Sequence, residues 1–161
     1  CEVDLKWNSQ SPECCEAHYS EGLFIGYRMY DHLNIEPAYP FGHGLSYTHF
    51  NYSGLRIQET HSKSYKVSLK VTNAGGTDGQ EVVQMYIAFP ASAGEPPRVL
   101  RGFHKPEIKA GETVVVVFDL LESALSVWDT ASHGWKAVKG TFQVHVGASS
   151  RDIRLVGEFE S

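Results

Sequence analysis

Apolar and polar residues alternate with period two along most of this chain. Tyr65, Val67, Leu69 and Val71 alternate with Lys66, Ser68, Lys70 and Thr72, the pattern of a strand with one wet face. Asn73-Ala74-Gly75-Gly76 supplies turn chemistry. Val82 to Phe89 is apolar on both faces and reads as a central strand, and Pro96-Pro97 breaks the chain before a strand at Val99 to Phe103. Ala110-Gly111 turns into Thr113 to Leu120, where Val114, Val116, Phe118 and Leu120 share one face. Phe142, Val144 and Val146 alternate with polar neighbours, and Ile153 and Leu155 do so in a last strand over Asp152 to Phe159. Short strands with turn signals about every ten residues indicate an immunoglobulin-like antiparallel β-sandwich. Trp128 and Trp135 flank a stretch read as an irregular crossing, Leu125 to Trp135, and are expected to plug one end of the core.

The first third follows a different pattern. Residues 1–18 show no period. From Tyr19 to Asp31, Leu23, Tyr27 and Tyr30 fall on one helical face, which predicts a short helix buried on most sides. Between this segment and the strands lies Tyr39-Pro40-Phe41-Gly42-His43-Gly44-Leu45-Ser46-Tyr47. Its proline and two glycines exclude a helix and require sharp turns. With Tyr39, Phe41 and Tyr47 around those turns, the loop is expected to be a buried junction between two kinds of structure. Truncating Phe41 or Tyr47 would then cost roughly 3–5 kcal/mol.

Composition narrows the function. The 161 residues are 42 % hydrophobic and 20 % charged, with a net charge of −5. That is a folded chain with scattered basic residues, which argues against nucleic acid as a partner. No apolar run approaches the roughly 20 residues that span a bilayer as a helix, so no membrane partner is expected. The sequence opens at Cys1 without a signal-peptide pattern, as a mature or cleaved chain would. Cys1, Cys14 and Cys15 allow one bridge from Cys1 to either of the others, with the third sulfur free or paired elsewhere; free buried thiols are the alternative. Asn51-Tyr52-Ser53 is a glycosylation sequon. Together these features lead to the expectation of a secreted, extracellular protein.

Candidate chemistry is sparse. Glycoside hydrolysis with retention needs two carboxyl groups about 5 Å apart, and Glu21 with Asp31, beside the apolar stretch, is the one pair worth weighing against a plain capping role. The eight histidines lack metal-ligand spacing, and His43 reads as a hydrogen-bonding group within the junction. Ser46, Ser126 and Ser149 lack the context of a hydrolase nucleophile. No cofactor or metal is expected. Tyr86, if exposed, could stack on a sugar ring.

Two sets of motifs go further. Tyr19-Ser20-Glu21-Gly22-Leu23-Phe24-Ile25-Gly26-Tyr27-Arg28 with Tyr30-Asp31, then Pro37-Ala38-Tyr39-Pro40-Phe41-Gly42-His43-Gly44-Leu45-Ser46-Tyr47, resemble the C-terminal part of glycoside hydrolase family 3 β-glucosidases. Val71-Thr72-Asn73 with Gly79 and Glu81 to Tyr86, Leu100-Arg101-Gly102-Phe103, Ala110-Gly111-Glu112, Leu125 to Asp129 and Val146 to Ile153 are similar to that family's fibronectin type III-like domain. The resemblance runs from Tyr19 to the end. It implies that residues 1–44 are the tail of an α/β sandwich domain of the catalytic module, a short helical and irregular segment, and that 45–161 are the fibronectin-like domain. The family's nucleophilic aspartate and acid/base glutamate lie upstream of these motifs, so no catalytic residue is carried over here. The implied site residues are those of the domain junction: Tyr39, Phe41, Gly42, His43, Gly44 and Tyr47. The implied partner is the N-terminal catalytic polypeptide of the same enzyme, and the substrate a β-glucoside cleaved by the whole. The alternative is an independent carbohydrate-binding or adhesion module, which a flat exposed strip with Tyr86 or Trp135 would favour.

Overall fold

The structure is a computed structural model that describes residues 19–60 and 63–161. The three cysteines lie outside the described residues, and so does their pairing. Two antiparallel sheets pack face to face. One has the order β1-β2-β7, from Phe50–Glu59 (β1), Tyr65–Asn73 (β2) and Thr113–Leu120 (β7). The other has the order β11-β10-β4-β5, from Ile153–Glu160 (β11), Thr141–Gly147 (β10), Val83–Ala88 (β4) and Val99–His104 (β5). Two-residue strands Gly79–Gln80 (β3) and Glu107–Ile108 (β6) pair beside them.

The alternation seen in the sequence sets the register. Val67, Leu69 and Val71 of β2, Val116 and Phe118 of β7, and Phe142, Val144 and Val146 of β10 point inward and meet Val83, Met85 and Ile87 of β4. All are almost fully buried, which makes this cluster the dominant stabilising term. The antiparallel sandwich expected from the pattern is therefore present, as is the fibronectin III-like form that the resemblance implied. β1 had no clean alternation, and its ladder shows why. Its register shifts between Ser53 and Arg56 at Gly54, which has φ +66°. Phe50 and Tyr52 face the core before this bulge, Leu55 and Ile57 after it.

The expectations for the helix and for the tryptophans need correction. The helix is six residues long, Tyr27–His32 (α1), with no fully buried residue. Gly22 and Gly26 at φ +57° precede it, and Asn34 at φ +52° follows it, so turns confine it to less than two turns. Trp128 and Trp135 do not plug the core. The segment Leu125 to Trp135 is a 3₁₀ turn, Glu122–Leu125, followed by a hairpin of Ser126–Asp129 (β8) and Gly134–Ala137 (β9). The two tryptophans lie opposite one another on it, 50 % and 71 % exposed. Leu125 fills the core position instead. Tyr86 is fully buried on the central strand β4, where it packs, and the alternative of an exposed platform for a sugar falls away.

Candidate functional site: an aromatic docking face

β4 is buried on both faces because residues 27–43 cover the face that points away from the core. On that face stand Gln84 and Tyr86, with a polar network between the layers. The Tyr86 hydroxyl donates to Gln84 Oε1, and Gln84 Nε2 donates to Gly42 O at 3.1 Å and Ala148 O at 2.6 Å. Burial pushes the Tyr86 phenol well above its ordinary range, with the neighbouring Tyr27 adding to the effect. It stays a neutral donor. The Ser150 N–H donates to Phe41 O at 2.9 Å.

Tyr27 anchors the helix. Its ring stacks on Phe41 at 4.6 Å and meets Tyr86 edge-on at 6.0 Å, while its hydroxyl accepts from the Leu100 N–H at 2.9 Å. One turn on, the Asp31 side chain is only 2 % exposed and lies between two guanidiniums. Arg98 Nη2 is 3.3 Å from Oδ2 and Arg151 Nε is 2.8 Å from Oδ1, the latter an ion pair without the alignment of a hydrogen bond. Arg151 also donates to Tyr30 O and Ile35 O, so it closes the end of the helix. Asp31 is thus held between two arginines, and its contacts are those of a structural ion pair. Sequence reasoning missed Arg98 and Arg151 as its partners. Their partner lies 67 and 120 positions away, and no local spacing encodes such a pairing.

The other side of this segment faces outward. Tyr39 is 79 %, Phe41 46 % and Tyr47 fully exposed, so the junction is not buried within this chain. Turns at Phe41-Gly42 and Tyr47-Thr48 lay the loop along the sandwich surface. Phe41 stacks on Tyr27, while the outer faces of Tyr39 and Tyr47 stay uncovered among the described residues. His43 is exposed with its ring 5.9 Å from that of Tyr39, and its N–H closes a turn onto Pro40 O. Gly44 and Leu45 are exposed too. Tyr19, Leu23, Ile25, Leu33 and Ile35 extend this apolar surface, and a cavity of about 450 Å³ opens among Tyr27, Tyr30, Tyr39, Phe41 and Arg151. Large apolar side chains exposed in this number along one segment are a feature of interaction surfaces.

A second, polar cavity of about 270 Å³ includes His43, His49, Glu81, Asp152 and Arg154. Its charges are paired with one another. Arg154 donates to Asp152 Oδ2 and to Phe50 O, both at 2.8 Å, and lies 4.7 Å over the Tyr52 ring. Tyr52 donates to Glu81 Oε1 at 2.8 Å, and burial, then Glu81, raises its phenol far above the usual value. These contacts fix the ends of β1 and β11. Among the described residues no three His, Cys, Asp or Glu side chains gather as a metal site.

Comparison with known proteins agrees with this architecture. Residues 81–150 match the fibronectin type III-like domain family. The chain is 45 % identical over 88 % of its length to probable β-glucosidase L of Aspergillus terreus, and 40 % identical over 89 % to probable β-glucosidase D of Aspergillus niger. It spans 22 % of each of those relatives. Among solved structures, the β-D-glucoside glucohydrolase of Trichoderma reesei superposes with a TM-score of 0.86 at 39 % identity, covering 96 % of this chain and 24 % of that one. The GH3 β-glucosidase of Bifidobacterium adolescentis gives 0.87 at 39 % identity, over 92 % and 22 %. The chain belongs to the C-terminal region of the family 3 β-glucosidases. Within that family it contributes the fibronectin-like sandwich together with the segment laid across β4.

Proposed function

We propose that this chain is the supporting end of a secreted, retaining β-glucosidase, and that its aromatic face docks on the remainder of the same enzyme. The observation that carries the reading is the exposed apolar surface of residues 19–47, in a chain that spans 22 % of its relatives. Exposed tyrosines and aliphatics backed by a rigid sandwich are suited to bury against a second body. That body would be the N-terminal catalytic polypeptide, which supplies the nucleophile and the acid/base. Residues 1–44 would close its α/β domain, and 45–161 would stand against it as the fibronectin-like buttress. In this role the chain brings no catalytic carboxylate. It holds the loops of the other domains in place by packing.

Asn51 lies exposed on β1, open to a glycan, in keeping with passage through a secretory route. Loss of mass on enzymatic deglycosylation, abolished in Asn51→Gln, would support that route.

The test is made on the full-length protein with an aryl β-glucoside, following the first-formed sugar by NMR. Release of β-glucose before mutarotation supports a retaining β-glucosidase; α-glucose first would refute retention. Introducing charge with Tyr39→Asp and Tyr47→Asp should lower thermal stability and activity together. Unchanged activity and stability in the double variant would refute docking through this face.

A further inference from the structure

The β8–β9 hairpin carries a feature that the docking role leaves unused. Trp128 and Trp135 face each other across the strands with ring centroids 5.7 Å apart at 79°, and both stay exposed. Beside Trp128 runs a groove of about 490 Å³, walled on one side by Ser92 and Ala93 of a 3₁₀ turn, Ala91–Ala93, and on the other by Asp129, Lys136 and Lys139. The volume lies within the roughly 300–1,000 Å³ typical of small-ligand sites. We infer that this groove binds a short stretch of β-glucan, with the Trp128 indole as the stacking surface and Trp135 meeting it edge-on to hold it in place. The inference rests on the β-glucosidase reading for the identity of the polysaccharide.

Three observations favour a sugar over a further protein contact. Trp135 meets Trp128 at 79°, which braces the half-exposed Trp128 indole beside the groove as a flat face on which a pyranose ring can stack. The groove walls combine apolar side chains with hydrogen-bonding ones, as a polyol with apolar ring faces requires. Asp129 is held in one orientation, since Oδ1 accepts from the Ala131 N–H at 3.2 Å and Oδ2 from the Ser132 hydroxyl at 2.7 Å. Its remaining lone pairs, and the ammonium groups of Lys136 and Lys139, can meet sugar hydroxyls. The groove is also remote from the docking face. Gly140 pairs with Ser161 and packs on Pro90 at the Thr141 end of β10, next to the groove, whereas Phe41 O accepts from Ser150 just past its Gly147 end and Gly42 O from Gln84, which lies opposite Gly147. At strand rise the two ends are roughly 20 Å apart. A glucan could occupy the groove while the aromatic face is docked.

The experiment is electrophoresis of the full-length protein through gels containing soluble barley β-glucan, with saturating glucose present to block the active site. The unsubstituted protein should be retarded, and Trp128→Ala and Trp135→Ala should each weaken retention roughly tenfold. Ala93→Arg, which fills the groove and leaves both indoles in place, should do the same. All three variants should hydrolyse the aryl glucoside at the unsubstituted rate. No retardation of the unsubstituted protein, or equal retardation of the three variants, would overturn the inference. Failure of the unsubstituted protein to cleave the aryl glucoside would instead strike at the glucosidase reading, and the retardation result would stand apart from it.

Discussion

Gly42 presents its carbonyl to Gln84 Nε2 at 3.1 Å, and its own Cα sits where a side chain would run into the Gln84 carboxamide. It also has φ +80°, a conformation that an L side chain rarely adopts. One residue thus turns the loop and lets it close on β4. Gly42→Ala should cost about 2–3 kcal/mol, of which roughly 1 is backbone strain and the remainder lost hydrogen bonds of Gln84. Urea unfolding measures the loss. In a Gln84→Ala background the same change should cost only about 1 kcal/mol, because the clash is gone. Equal costs in both backgrounds would mean that the contact does not fix the loop.

Asp31 gives a second prediction. With its side chain buried between Arg98 and Arg151, Asp31→Asn leaves two guanidiniums facing each other without a counter-charge. Removing one partner from a fully buried pair costs about 3–5 kcal/mol; each arginine here is still about a fifth exposed, so about 2–3 kcal/mol is expected. The helix should loosen first. Hydrogen exchange at the Leu100 amide, which donates to the Tyr27 hydroxyl, should speed up in the variant. Arg98→Lys should cost less, because Asp31 keeps Arg151.

The sandwich was legible because its signal is local: strands β2, β7 and β10 announce themselves through period-two alternation, and inward and outward faces follow. β1 was blurred by a single bulge at Gly54 that moves the core face from even to odd positions. The tryptophan hairpin was misread for another reason. Trp128 and Trp135 are large and apolar, which suggests the core, but whether a ring is buried depends on what the fold puts above it. Tyr86 shows the converse, since residues 27–43 cover it. The resemblance singled out the loop of residues 39–47 as a domain junction, whereas the network that holds it (Asp31 with Arg98 and Arg151, Gln84 with Gly42) joins residues far apart in the chain.

Stability should depend on pH in two separate windows. Burial lowers the His145 imidazole below its ordinary value, and Arg98 lowers it further. The unfolded chain takes up that proton near pH 6.5 while the folded one resists it, so stability falls as pH drops below about 6.5. The Asp152 carboxyl is held below its ordinary range, first by the hydrogen bond from Arg154. Its contribution is complete above the unfolded value near 4 and is lost as pH falls through the folded one. Denaturation midpoints measured from pH 7.5 to 3 should decline in both windows. His145→Gln should flatten the upper one alone; an unchanged slope there would assign it to another group.

The docking face makes the sharpest distinction between this chain by itself and the enzyme it belongs to. Tyr47 is fully exposed and touches nothing here, so Tyr47→Ala in the isolated chain should change stability by no more than about 0.5 kcal/mol. Phe41 stacks on Tyr27 but is half-exposed, so Phe41→Ala should cost about 1–2 kcal/mol, short of the 3–5 of a buried ring. In the full-length protein both rings gain a partner surface, and Tyr47→Ala should then cost about 2–4 kcal/mol. Chemical denaturation of both forms, with each variant, gives the comparison. A penalty that grows on passing from the isolated chain to the whole protein assigns the exposed aromatics to the domain contact. The same small penalty in both would leave Tyr47 in solvent throughout, and the apolar face would need a different occupant.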